Sequence, residues 1–377
     1  KILLIQSLIF LALLVLGELC LRIFSPLSVY VFTGQTSSSL AQEVGWGPTL
    51  DKGKLLCGPP HAMVNRSNRI RVLLLGDSEL DCNKTAQRYE NTVPALLSNM
   101  LGPRYEVITL AAGGWGNDQE FLAYRFLGKK YEPRYVLLFF TPANDLYNNV
   151  ASKAAWENIG KPRFELDADG KLVRLQPTER RRPWNASSLL ARSEIGKRIL
   201  LLKQSSQIVM NVPMSIEKEQ YSHISSYAQP LPPLLKRSWT VTQAIFEEMN
   251  REVAAASGRF AVVYVPTGMH NYCEGPMDAK FKNCAGYTRE NIQLRCARAD
   301  FTFNIYQPYD MLNAFSKKTG IPLIDNLADV EPYKYDHYAI SLDCLHMNRR
   351  GAELLARKVA AFIRSSASPR PTPLSLP

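Results

Sequence analysis

At 377 residues the chain is long enough for one large domain or two ordinary ones, and its globular composition excludes collagenous, low-complexity and mostly disordered classes. The formal net charge is +11, but the basic residues are scattered apart from Arg180-Arg181-Arg182, and no nucleic-acid motif accompanies them. That run is a solvated loop or, as the alternative, a face for an acidic membrane or a polyanionic glycan. Nucleic acid is not an expected partner.

The first segment, "KILLIQSLIFLALLVLGELCLRIF", is apolar from Ile2 to Leu16 except for Gln6 and Ser7, and Glu18 and Arg22 close it. At about 1.5 Å per residue, about 20 helical residues cross a bilayer core of about 30 Å. A cleavable signal peptide and a buried amphipathic helix are the alternatives. No A-x-A-like cleavage site follows, and apolar residues occupy every face of the helix, so an uncleaved transmembrane anchor is expected over 1–24. Such an anchor places the large domain outside the cytoplasm, periplasmic or lumenal. Cys20 lies in this helix. The other six cysteines, Cys57, Cys82, Cys273, Cys284, Cys296 and Cys344, suit disulfides in an oxidising compartment, with the connectivity open. Their spacing is too wide for a C-x-x-C metal knuckle, so no zinc is expected.

Residues 25–69 are rich in Ser, Gly and Pro and form a stalk or leader, "VGWGPTLDKG" included. A strand is expected at 70–75, a helix at 91–101, a strand at 105–112 and a helix at 117–131. "RYVLLFF", at 134–140, is a continuous apolar run too short for a helix and suited to a strand buried on both faces. The alternation breaks at about 150–236, read as an insertion beside the core. It holds a β-hairpin turning at Asp169-Gly170, a helix near 187–206 and the proline-rich "AQPLPPLL". Then come a helix at 239–258, a strand at 259–266, a helix at 306–320, a strand at 321–326, a helix at 348–366 and a disordered tail at 367–377. Strands alternating with helices imply an α/β fold over 70–366, a three-layer α/β/α sandwich with a mainly parallel sheet.

Ligand sites in open parallel sheets collect at the carboxyl ends of strands. Four expected strand ends are polar or glycine-rich: Gly76-Asp77-Ser78, "AAGGWGNDQ" at 111–119, "TPANDLYNN" at 141–149, and "SLDCLHMNRRG" at 341–351. A serine hydroxyl needs a base within hydrogen-bond reach, itself oriented by a third group. Among five histidines, His346 has Asp343 three residues before it, so one turn could carry both carboxylate and imidazole. Asp336-His337 is the competing pair, and a capping or surface histidine is the plainer role for His346. Acyl transfer also needs donors for a developing oxyanion. The Ser78 backbone N–H, a glycine N–H of "GGWG" and the Asn144 amide are the candidates, against an ordinary loop and a helix cap. Asp77 is expected to organise the turn.

These four segments resemble, in order, the blocks of the SGNH (GDSL-like) hydrolase family, over about 70–366. The resemblance implies a flavodoxin-like sandwich with Ser78 as nucleophile, Asp343 and His346 completing the triad, and an oxyanion hole of Ser78, Gly114 and Asn144. It implies no cofactor and no metal. Departures are Thr109 before the second block, Pro142 or Ala143 in place of the third block's glycine, and Glu79 after the nucleophile. Glu79 either shapes substrate choice or marks a lost activity. Cys82 and Cys344, each near a triad residue, suggest a disulfide across the site. Many anchored relatives deacetylate glycans or work beside membrane-bound O-acyltransferases. Two functions follow as expectations: a membrane-anchored serine esterase or O-acyl (acetyl) transferase, or a catalytically silent subunit of a membrane protein complex.

Overall fold

The computed structural model describes residues 2–24, 39–47, 50–51, 54–55, 61–65, 68–81, 89–152, 160–177, 193, 195–196, 214–216, 219–221, 226–266, 302–304, 306–330, 332 and 346–367. The central sheet has five strands: β1 (Ile70–Gly76), β2 (Tyr105–Ala111), β3 (Tyr135–Phe140), β4 (Arg259–Tyr264) and β5 (Leu323–Ile324). Their order is β2-β1-β3-β4-β5, and every pairing is parallel. The 2-1-3-4-5 order is the flavodoxin-like doubly wound arrangement.

Both faces of the sheet are buried, so the central strands are largely apolar, and the period of two shows in which layer each side chain enters. Leu73 and Leu75 of β1, Val136, Leu138 and Phe140 of β3, and Phe260, Val262 and Tyr264 of β4 enter one core. Val72 and Leu74, Leu137 and Phe139, Ala261 and Val263 enter the other. The first core is covered by α4 (Asn117–Phe126), α5 (Pro142–Asn148), α6 (Pro233–Ala255) and α7 (Gln307–Thr319). The second is covered by α3 (Val93–Leu101) and α9 (Arg349–Ala367), with the short α8 (Leu327–Val330) beside α9.

Three expectations need correction. The leader does not stop short of the domain: α2 (Ser39–Val44) and the following turn bury Leu40, Val44 and Trp46 in the first core. Residues 61–65 are also tied in, because buried Arg71 at the start of β1 donates to the carbonyls of Ala62, Met63 and Tyr131 and to Glu106. Finally, α4 ends at Phe126, and a 3-10 turn at Gly128–Tyr131 delivers that Tyr131 carbonyl. The helix α6 starts at Pro233, six residues before the expected start; Pro is tolerated in a first helical turn, where its N–H would be unpaired.

The hairpin of the insertion pairs Arg163–Leu166 with Leu172–Leu175, and Asp167 Oδ1 accepts from the N–H groups of Asp169 and Lys171 in its turn. Phe164 packs on Phe121 of α4, and Arg174 donates to the carboxylate and carbonyl of Glu43 in α2. The hairpin therefore lies beside the core. All of the expected helix near 187–206 but residues 193 and 195–196, the tail beyond Ala367 and the six domain cysteines lie outside the described residues. Near the amino end, α1 (Ile2–Phe24) exposes Ile5, Ile9, Phe10, Leu13 and Ile23, each more than half exposed. It is long and apolar enough to cross a membrane, a test that a secretory signal sequence also passes.

Candidate active site

In a 2-1-3-4-5 sheet the chain leaves β1 and β3 toward opposite faces, which opens a crevice at their carboxyl ends. Here β1 leads to α3 over the second core and β3 leads to α5 over the first. The crevice thus lies between Gly76-Asp77-Ser78 and Thr141–Asn144. The backbone turns sharply after β1. A Cβ at Gly76 would lie 2.9 Å from Leu80 Cδ1 and 3.3 Å from Phe139 Cβ, so any larger residue would crowd the turn against Leu80 and β3. Asp77 organises that turn: its carbonyl accepts from Leu80 and Asp81 N–H, and Oδ1 accepts from Glu79 N–H at 3.0 Å. Ser78 is left half-buried, and its Oγ lies 3.0 Å from His346 Nε2.

A second contact runs beside the first. Glu79, 9% exposed, accepts the Met347 N–H on Oε2 at 3.2 Å. The carboxylate next to Ser78 is thus nearly buried and bonded to the backbone next to His346.

The remaining donors come from β2 and β3. The loop after β2 has Gly114 at φ +72°, a left-handed conformation that favours glycine. Asp81 Oδ2 accepts the Gly113 N–H at 3.2 Å, linking this loop to the turn that carries Ser78. Asn144 stands in the first turn of α5, where Pro142 opens the helix and Asp145 Oδ2 accepts the Thr141 N–H at 2.7 Å. The Asn144 amide gives one N–H to Asp77 Oδ2 at 2.5 Å, and its carbonyl accepts from Asn148 at 2.7 Å. A primary amide has two N–H donors, and the second has no partner among the described residues.

Beneath these loops lies a buried polar layer. Lys161 is ion-paired to Asp118, and Asn149 accepts the Asp118 N–H while donating to Asn117 and Thr242. Glu120 accepts from Asn117 at 3.0 Å, but its Oε1 and Asp145 Oδ1 make no hydrogen bond among the described residues. Burial pushes Glu120 well above the usual carboxylate range; Asn117 opposes this, and the charges of Asp77 and Asp118 add to it. Burial does the same to Asp145, with Glu120 and Asp77 adding. Asp77 is also raised by burial, against the opposing Glu79 N–H, the Asn144 amide and the nearby His346. No group of three or more His, Cys, Asp or Glu suited to a metal ion occurs among the described residues.

Of the site residues expected from sequence, Ser78, Gly114, Asn144 and His346 come to one end of the sheet. Asp343 lies outside the described residues, as do the competing Asp336-His337 pair and the Cys82–Cys344 pairing. Sequence reasoning missed Asp81, Asn148 and Trp46. The one available signal was a tryptophan in an otherwise Ser-, Gly- and Pro-rich leader.

No protein-family model and no curated protein sequence matches the chain. Solved structures similar to it include the acetyl xylan esterase AlAXEase, 13% identical over 78% of this chain and 100% of that one, with a TM-score of 0.39. A catalytic mutant of Axe2, an acetylxylan esterase from Geobacillus stearothermophilus, is 12% identical over 82% and 100%, with a TM-score of 0.39. The lipase/acylhydrolase from Enterococcus faecalis is 14% identical over 80% and 100%, with a TM-score of 0.37. Scores this low leave the architecture to rest on the sheet order and the site to rest on its own residues.

Proposed function

We propose that the chain is a serine esterase of the SGNH type, an O-acyl hydrolase or transferase. The observation that carries this reading is the 3.0 Å contact of Ser78 Oγ with His346 Nε2 at the carboxyl end of a parallel sheet's switch point. Ser78 Oγ attacks the ester carbonyl while His346 Nε2 takes its proton. The carbonyl oxygen becomes an oxyanion held by the Ser78 and Gly114 N–H groups and the second N–H of Asn144. Collapse expels the alcohol, which receives the proton from His346 and leaves an acyl-Ser78. Water, or an acceptor hydroxyl in a transferase, then reverses the sequence. Asp343 is assigned to orient the imidazole, on the strength of its place three residues before His346 and the family resemblance.

α1 holds the enzyme at a membrane in this reading, with the domain outside the cytoplasm and disulfides among its cysteines. Its length and its exposed apolar side chains support the anchor. An ester on a glycan as substrate, and a membrane-bound O-acyltransferase as partner, rest on the family resemblance. The reading is tested with p-nitrophenyl acetate and a fluorophosphonate probe. The parent chain should turn over the ester and take the label, and Ser78→Ala should do neither. Equal turnover in Ser78→Ala overturns it.

A further inference from the structure

Trp46, buried at 2% exposure, donates its indole N–H to the carbonyl of Gly113 at 3.1 Å. That carbonyl and the Gly114 N–H belong to the same planar trans peptide unit, so they point in opposite directions and cannot move independently. Holding the oxygen aims the N–H. The unit needs such a hold, because it joins two glycines, whose flanking torsions rotate more freely than those of any other residue pair.

The rest of the local bonding fits this role. The neighbouring Gly113 N–H is held by Asp81 Oδ2 at 3.2 Å, from the turn that carries Ser78. Trp115 donates its own indole N–H back to the Trp46 carbonyl at 2.9 Å, and Gln119 Nε2 donates to the Val44 carbonyl at 2.7 Å. The two tryptophans thus clasp the leader to the loop after β2. A hydrogen bond accepted at the carbonyl end of a peptide also polarises its N–H, making it a stronger donor.

We propose that Trp46 is a positioning residue for the oxyanion hole, acting on the Gly114 N–H through the Gly113 carbonyl, and that the leader is thereby a working part of the site. Only residues 25–38 separate α1 from the helix that carries Trp46 into place. The segment next to the proposed membrane helix is built into the catalytic loop rather than hung beside it. The inference rests on the esterase reading above.

The test is Trp46→Phe in the full detergent-solubilised chain, which removes the N–H and keeps an aromatic ring. Turnover of p-nitrophenyl acetate, affinity for a boronic acid that forms a tetrahedral anion on serine, and thermal melting are measured together. Removing an oxyanion donor outright costs about 10²–10³ in kcat, and misaiming one is expected to cost about tenfold. The expected result is about a tenfold loss in kcat and in boronate affinity, with KM within about twofold and melting near that of the parent. Where Trp46→Phe does not fold, benzothienylalanine at position 46, isosteric with tryptophan but without the N–H, makes the same comparison. A folded variant with parental kcat and parental boronate affinity overturns the proposal. A parent chain that neither hydrolyses the ester nor takes the fluorophosphonate overturns the esterase reading instead, and the inference falls with it.

Discussion

Glu79 accepts the backbone N–H of Met347 at 3.2 Å, one residue along from the 3.0 Å contact between Ser78 and His346. The two contacts run side by side between the same two loops. The Glu79 contact uses an acceptor oxygen, which an amide would also supply.

Glu79→Gln, which keeps an amide oxygen, should therefore retain most of the parent's ester turnover. Glu79→Ala removes the acceptor that the Met347 N–H uses and loosens the loop that carries His346. A hydrogen bond to a charged group is worth about 1.5–3 kcal/mol, so Glu79→Ala should be destabilised by about that much. Its kcat should fall about 10- to 100-fold as the base loses its geometry. Denaturant unfolding and steady-state kinetics on both variants check this, and an equal loss in Gln and Ala would mean that charge was the operative property.

Asn144 has two partners in the structure, Asp77 and Asn148, and a remaining amide hydrogen assigned to the oxyanion. Asn144→Ala should lower kcat by about 10²–10³ while KM changes little, the pattern of an interaction made only in the transition state. It should also destabilise the fold by about 1–3 kcal/mol, because Asp77 loses a buried donor. A variant with weakened KM and unchanged kcat would contradict the assignment.

The buried Glu120 carboxyl is pushed well above its ordinary range by burial, so the folded state holds a proton that the unfolded chain releases. The stability this proton supplies is complete below the unfolded value, near 4.5, and is lost as pH rises through the folded value. Glu120→Gln has no such proton to lose. Its melting temperature relative to the parent should therefore climb steadily from pH 5 upward, and a pH-independent difference would refute the protonated carboxyl. Asp145 is raised in the same sense and contributes in parallel.

Arg71 serves the opposite end of the sheet from Ser78 and His346. It is buried, paired with Glu106 at 2.9 Å and bonded to three backbone carbonyls, and His61 joins the cluster through Glu106. Arg71→Leu leaves a buried carboxylate without its main partner, a change that costs about 3–5 kcal/mol. Chemical denaturation should show that loss, while kcat per folded molecule stays at the parental value. A drop in kcat would link this cluster to the site.

Much of this was legible because it is local. The run from Val72 to Leu75 and the run from Tyr135 to Phe140 are apolar throughout, which is what a strand buried on both faces requires. Glycine and polar residues at their ends mark where each strand stops. Two matters were not legible. The Ser, Gly and Pro content of the leader hid Leu40, Val44 and Trp46, since composition averages over the few positions that pack. The contact of Glu79 with the Met347 backbone was hidden too, because sequence gives a residue's neighbours along the chain and not the direction of its side chain.

By itself the amino-acid sequence determined the succession of strands and helices, the buried character of the central strands, and which chemically able residues stand at their ends. Each follows from hydrophobic periodicity within a few residues. The tertiary structure alone decided the 2-1-3-4-5 order, the meeting of Ser78 with His346 across 268 positions, and the reach of Trp46 across 67 positions to Gly113. Contacts so far apart in the chain leave no periodic trace, and only the closing of the two cores around the sheet brings them together.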